Sequence, residues 1–322
     1  MLPRQSGGFA VVGLGQCSLD LLGLIEQFPE PDAKTELASP LLQGGGPVAT
    51  ALVTLARLGV TTAVAGRIGG DDFGSTIRAG LEAEGVDTRG LLVDASGSSQ
   101  FACIAVQSGP GVRNIFWTRG SAAPLSAHEI PTADITRATL LHLDGLQLEA
   151  SLAAAELARR QGVTTVLDGG TLRPGLEQLL PLIDHLVVSE RFARQFSPGA
   201  SFATAIKRLL AWGAKAAVIT LGARGCVGRT PEGPLLHHPA FSVPVLVTTG
   251  CGDVFHGGYL FGLLQGWDLA ERLRFASACA ALKTRAMGGR TAIPRLAEVL
   301  AWLENHPQPV ARAVTGDSGE FS

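Results

Sequence analysis

The strongest constraint on this chain is an alternation. Short apolar or β-branched runs, AVVGLG at 10–15, TTAVAG at 61–66, LLHLDG at 140–145, TTVLDG at 164–169, HLVV at 185–188 and AAVITL at 216–221, are separated by stretches of helical period. Runs this short with no alternating polar positions suit strands covered on both faces. The stretches between them include VATALVTLARLG, GSTIRAGLEAEG and ASLAAAELARRQG, closing on Gly59, Gly85 and Gly162. A glycine there suits the left-handed residue that ends a helix. Repeated strand–helix units predict an α/β fold: a doubly wound, mostly parallel sheet flanked by helices, with ligands at the carboxyl edge.

Two regions break the rhythm, 33–45 (AKTELASPLLQGG) and 98–119 (SSQFACIAVQSGPGVRNIFWTR), the second alternating like a hairpin around Ser108 to Gly111. They read as a small β-sheet lid, since loops of this length are uncommon without a role. Towards the C-terminus, Asp268 and Glu271 form a D-x-x-E capping pair, Gly288 and Gly289 are expected to end that helix, and Pro294 to open another through Leu303. With 46% apolar residues, one α/β domain over 1–305 is expected, followed by a flexible tail at 306–322.

The 26 basic and 28 acidic residues nearly balance, which gives no footprint for nucleic acid or an anionic membrane and points to a small-molecule partner. Five scattered cysteines without metal-ligand spacing fit reduced thiols. No stretch of about 18 uninterrupted apolar residues and no signal-like N-terminal segment occurs, so a cytoplasmic, unanchored protein is expected.

The chemistry concentrates in glycine turns. In LVTTGCGDVFHGGYLFGLLQG, 246–266, an apolar run meets Gly250 and Gly252 and then a helical stripe, so the turn opens a helix. Free N–H groups and the positive dipole end attract an anion there, and glycine lets it approach the backbone. Asp253 puts a carboxylate in the same first turn. A carboxylate that takes the proton of an acceptor hydroxyl, beside N–H groups that hold a phosphoryl group, is what a kinase needs. Local chemistry leaves two readings open, helix cap and catalytic base. A second turn, Gly44, Gly45 and Gly46 before Pro47, again opens a helix and leaves room for a ligand at the backbone; a third, TLGARG at 220–225, follows a strand. Gly13-x-Gly15 is followed by Ser18 where a dinucleotide site needs glycine, and no GxxxxGK[ST] loop exists.

In the order of these motifs the chain resembles the ribokinase-like, or PfkB-type, carbohydrate kinases from about Phe9 to Leu303. The resemblance rests on G-x-G with Asp20, the GGG turn, GRIGGDDFGSTIRAGLEAEGVDT at 66–88, TLGARG, and above all TTGCGDVFHGG followed by FASACAALKTRAMGG. It implies an ATP-dependent kinase acting on a sugar-like acceptor, with a lid over the acceptor and a homodimer through the lid. Asp253 would be the base and Gly250, Cys251 and Gly252 the anion hole. Asp20 with Gly44, Gly45 and Gly46 would bind the acceptor. Thr220, Gly222, Gly225 and Ser277 would contact ATP, and Glu190 would serve Mg²⁺.

Several positions depart from the family pattern. Cys251 replaces alanine and suggests thiol sensitivity. Val247 replaces an aspartate tied to a monovalent cation such as K⁺, while backbone carbonyls around Thr249 and from Gly288 to Arg290 could still bind one. Ala49 replaces a sugar-binding asparagine, and Ser189 and Phe192 replace the metal-linked N-x-x-E pair, leaving Glu190 or Asp168. Arg113, Asn114, Trp117 and Arg119 in the lid suit an acceptor that carries a phosphate, carboxylate or sulfonate. His142 and Asp144 end a strand at the cleft edge. A nucleoside kinase, a non-catalytic binding protein and an oxidoreductase are the alternatives.

Overall fold

Successive residues of the central strands face opposite cores. Val11, Leu140, Val166, Val187 and Val218 join one cluster, while Val12, Leu141, Leu167, Leu186 and Ala217 join the other. With both faces buried, no polar alternate survives, which is why these strands read as unbroken apolar runs.

The structure is a computed structural model that describes residues 8–109, 112–307 and 309–314. Strand β1 (Val11–Leu14) leads into β2 (Ser18–Ile25), β3 (Ala38–Gly45) and helix α1 (Pro47–Arg57). Next come β4 (Thr62–Gly69), α2 (Asp72–Ala83), β5 (Asp87–Asp94), β6 (Gln100–Gln107), β7 (Arg113–Thr118) and α3 (Thr132–Arg137). They are followed by β8 (Leu140–Leu143), α4 (Leu148–Gln161), β9 (Thr164–Gly169), β10 (His185–Ser189), α5 (Glu190–Phe196), α6 (Phe202–Leu210) and β11 (Ala216–Thr220). The chain closes with β12 (Cys226–Arg229), β13 (Leu236–His238), α7 (Cys251–Leu264), α8 (Leu269–Lys283), α9 (Leu296–Asn305) and β14 (Arg312–Ala313).

The large sheet runs β14-β13-β12-β11-β10-β9-β8-β1-β4-β5, parallel from β11 to β5 and antiparallel beyond β11. β4 and β8 flank β1, so the winding reverses there and a crevice opens over the carboxyl ends. The second sheet, β3-β2-β6-β7, stands over that edge because β2 and β6 begin just after β1 and β5 end. Its inner face, with Leu22, Ala102, Ile104 and Val106, packs on Val247, and Arg113 Nη1 donates to Thr248 Oγ1 at 2.6 Å. The lid thus touches the segment just before α7.

The lid differs from expectation in including β2. Its register shifts between Leu22 and Leu24, which breaks the alternation that marks a strand. Of the expected hairpin turn, Gly109 has φ +87°, while Pro110 and Gly111 lie outside the described residues. The expected flexible tail is corrected in part: Arg312 and Ala313 pair with β13 as an edge strand. Helix α8 ends at Lys283, well before Gly288, and α9 begins after Arg295 rather than at Pro294.

Helix α7 is apolar nearly all round and lies between α1 and α8. A Cβ at Gly257 would sit 2.5 Å from Thr54 Cβ of α1, and one at Gly258 would sit 2.8 Å from Ala276 Cα of α8. Close approach on both sides fixes where the α7 N-terminus points. Among the described residues no helix is long and apolar enough to cross a membrane.

Candidate active site

Gly250 caps α7 with φ +78°, and a Cβ there would lie 2.7 Å from the Gly289 carbonyl, so the turn admits no side chain. The Cys251 N–H already donates to Thr248 O at 3.2 Å. Gly252 is exposed, with no atom within 4 Å of where its Cβ would be, so the first turn opens to a ligand at this backbone. The free Cys251 thiol is half-buried, and burial raises its pKa above the usual thiol range.

Asp253 is half-buried in that first turn. Burial pushes its pKa up, the Asp168 and Asp20 carboxylates push it further, and His256 and Arg290 oppose them. The structure therefore brings together, around Asp253, groups from β2, β9, α7 and the segment after α8. Asp20 on β2 accepts from Ser18 Oγ at 3.1 Å, and burial raises its pKa too.

The glycine triplet serves this assembly in an unexpected way. A Cβ at Gly44 would lie 2.3 Å from Arg290 Nη1, one at Gly45 would lie 2.2 Å from Asp20 Oδ2, and one at Gly46, where φ is +96°, would lie 2.2 Å from Gln16 O. The room expected for a ligand is taken largely by the protein's own groups. Arg290 is 3% exposed and donates to Gly45 O at 2.8 Å and Thr50 Oγ1 at 3.2 Å, while its N–H meets Gln43 Oε1 at 2.8 Å. Sequence reasoning missed it as a site residue, because arginine is usually exposed.

A buried His–Asp pair was missed as well. His256 Nδ1 lies 3.3 Å from Asp168 Oδ2 and 2.8 Å from Gly252 O, and Nε2 lies 3.1 Å from Val187 O. Each ring nitrogen faces a backbone carbonyl. Asp168, whose pKa is raised by burial, sits at the carboxyl end of β9. At the end of β8, Asp144 accepts from the N–H groups of Gln16 at 2.8 Å and Leu146 at 2.9 Å, and burial lifts its pKa to about 6. His142 beside it is fully buried, bonded to Val166 O at 3.3 Å, and held neutral by burial.

The expected nucleotide residues lie apart from Asp253 in the sequence, around the end of β11. Gly222, with φ +60°, has nothing within 4 Å of its missing Cβ and offers an open backbone edge. Gly225 has a structural cause: a Cβ there would lie 2.0 Å from His238 O. Thr220 Oγ1 makes only a long contact with Val188 O, 3.5 Å, and Ser277 is buried with Oγ 3.8 Å from Cys226 Sγ.

Glu190 accepts from Arg194 Nε at 2.8 Å and from Arg224 Nη2, so both of its oxygens are engaged. Ser189 caps α5 and donates to Gly170 O, and Phe192 is core. Among the described residues no group of three or more His, Cys, Asp or Glu side chains could hold a metal ion, so these residues do not fit a protein-built Mg²⁺ cage.

A cleft is lined by Gln16, Arg67, Gln100, Arg119 and Gln147. Arg67 pairs with Glu129. Val247, where the family pattern has a carboxylate, is 1% exposed and packed under the lid. Nearby, Arg57 Nη1 occupies the carbonyls of Arg290, Thr291 and Ile293 at 3.0, 3.3 and 2.9 Å.

The family model described as pfkB family carbohydrate kinase matches residues 10–296. The chain is 29% identical to a 5-dehydro-2-deoxygluconokinase of Shouchella clausii, over 94% of this chain and 97% of that one. It is also 29% identical to a ribokinase of Haemophilus influenzae, over 91% and 97%. Among solved structures, Arabidopsis thaliana ribokinase complexed with ribose and ATP superposes with a TM-score of 0.80 at 23% identity, covering 92% of this chain and 99% of that one. An E. coli chain solved with ATP and Mg²⁺ gives 0.81 at 23% identity, covering 92% and 100%. These two likenesses bear on the fold, a mostly parallel sheet with a small lid.

Proposed function

Because the chain belongs to the pfkB family of carbohydrate kinases, enzymes that transfer phosphate to an alcohol group, we propose that it moves the γ-phosphate of ATP to a hydroxyl of a sugar or sugar-like acceptor. The observation that carries this reading is the half-buried Asp253 carboxylate in the first turn of α7, at the positive end of the helix and within the electrostatic reach of Asp20 and Arg290. The acceptor lies against Asp20, whose carboxylate abuts the 44–46 turn. Its hydroxyl oxygen attacks the γ-phosphorus while Asp253 takes the proton. The new O–P bond forms as the bond to the β–γ bridging oxygen breaks, and ADP leaves. The backbone of Gly250 to Gly252, chiefly the Gly252 edge, holds the phosphoryl oxygens.

ATP lies along the turn from Thr220 to Gly225, with Ser277 behind it. Glu190 is held by two arginines, so bound Mg²⁺ would be carried by ATP rather than by this side chain and would supply positive charge to the group in transfer. Potassium is not required, because Val247 offers no carboxylate and Arg57 occupies the neighbouring carbonyls. Arg119 in the adjoining cleft favours an acceptor that carries a carboxylate or phosphate.

The lid's β7 exposes Ile115, Phe116 and Trp117 by 48, 65 and 53%, which suits a second copy of the chain. The cysteines are free, as suits a cytoplasmic enzyme. The test is a panel of 5-dehydro-2-deoxygluconate, D-ribose, sugar phosphates and nucleosides, scored by acceptor-dependent ADP release. Turnover of a sugar or sugar acid supports the reading. Turnover of nucleosides alone makes the enzyme a nucleoside kinase, and tight binding without product makes it a non-catalytic binder.

A further inference from the structure

Lys283 closes α8, is fully buried, and its Nζ has no hydrogen-bond partner. A lysine at a helix C-terminus is ordinary when its head reaches water, because a cation suits that end of the dipole. A buried ammonium without an acceptor is costly and calls for a reason. Its position supplies one. Helices α7 and α8 run antiparallel, with Gly258 against Ala276 and Gly262 against Arg272. The same pairing carried to the other end sets Lys283 opposite Cys251, the first residue of α7. The groups it feels are Cys251 and Asp253, which favour the ammonium, and Arg113 of the lid, which disfavours it; burial opposes the charge most. At Asp253 the balance is set by Asp168, His256, Asp20 and Arg290.

We propose that Lys283 is a positioning residue of the phosphoryl site: its ammonium, lodged behind the first turn of α7, adds a fixed positive charge to the backbone N–H groups that hold the group in transfer. Having no exposed surface, it touches no substrate and acts through space, where a water-poor setting makes a fixed charge effective. The inference rests on the reading of Gly250 to Asp253 as the phosphoryl site.

The test compares ADP alone with ADP plus Mg²⁺ and aluminium fluoride, a mimic of the phosphoryl group in transfer, titrated by calorimetry into the wild-type protein and Lys283→Met. The variant should bind ADP alone within about threefold of wild type. It should lose at least about tenfold of the extra affinity that aluminium fluoride brings, since that affinity reports transition-state stabilisation. Its melting temperature should hold or rise, because an apolar side chain of similar length replaces a buried unpaired charge. A merely structural lysine would instead lower the melting temperature and leave the fluoride gain intact, and that result overturns the role of Lys283 alone. No fluoride gain in the wild-type protein overturns the phosphoryl-site reading as well. Should Lys283→Met fail to fold, Lys283→Ala is titrated with added methylammonium, with tetramethylammonium as the salt control. Recovery of the gain by methylammonium alone supports the proposal, and a folded variant that does not recover overturns it.

Discussion

Replacing Asp168 with asparagine should move the acid limb of the pH–rate profile to lower pH. His256 Nδ1 lies 2.8 Å from Gly252 O and 3.3 Å from Asp168 Oδ2. That shared neighbour keeps the Asp168 carboxylate close to the peptide leading into Asp253, and a unit charge roughly 10 Å from the Asp253 carboxylate is worth about 1.7 kcal/mol at an effective dielectric of about 20, or about one pH unit. Burial raises the pKa of Asp168 as well, which tempers its effect, so a movement of at most roughly one unit is the expected result. The sign follows from the role of Asp253. A general base works deprotonated, so the rate falls as pH drops through its raised pKa. Removing a negative neighbour lowers that pKa. The asparagine carbonyl still accepts from Nδ1, which keeps the ring in place. The assay is kcat/KM against pH at constant ionic strength for both proteins, since this ratio reports the free enzyme. A limb that stays where it was, or moves to higher pH, would refute the placement of Asp168 as the charge that tunes the base.

Three further outcomes follow from the packing and the thiol. Gly257→Ala drives a Cβ to 2.5 Å from Thr54 Cβ and should destabilise the fold by about 1–3 kcal/mol, read by urea unfolding; an unchanged midpoint would mean that α1 and α7 separate freely. Burial holds the Cys251 thiol protonated, so iodoacetamide near neutral pH should label it slowly and leave the rate intact, against the thiol sensitivity expected from sequence; rapid labelling with loss of rate would show the thiolate exposed. Exchanging Na⁺ for K⁺ should leave kcat unchanged, and strong activation by K⁺ would show that the region under Val247 binds a cation after all.

The parallel strands were legible because burial on both faces turns a strand into a short apolar run, as in TTVLDG of β9 and AAVIT of β11. β2 escaped because its bulge near Gly23 breaks the alternation, and β14 because two residues carry no periodicity. Of the site, the GxGD turn was legible as local chemistry: a glycine at positive φ, a helix start and a carboxylate within four residues. Asp168 and His256, drawn together from β9 and α7, carry no shared sequence signal. Arg290 and Lys283 were invisible for another reason. Cations read from sequence as solvated, and only the fold shows these two buried. The triplet Gly44 to Gly46 was legible as a special turn, but its cause, room for Arg290, Asp20 and Gln16, needed the coordinates.

The central claim is that Asp253 takes the proton of the acceptor hydroxyl. With whichever acceptor the panel identifies, kcat of Asp253→Asn is measured beside the affinity for ATP. The claim predicts a fall of about 100-fold or more in kcat with ATP binding preserved. A variant that keeps most of the rate would contradict it and return Asp253 to the role of a helix cap.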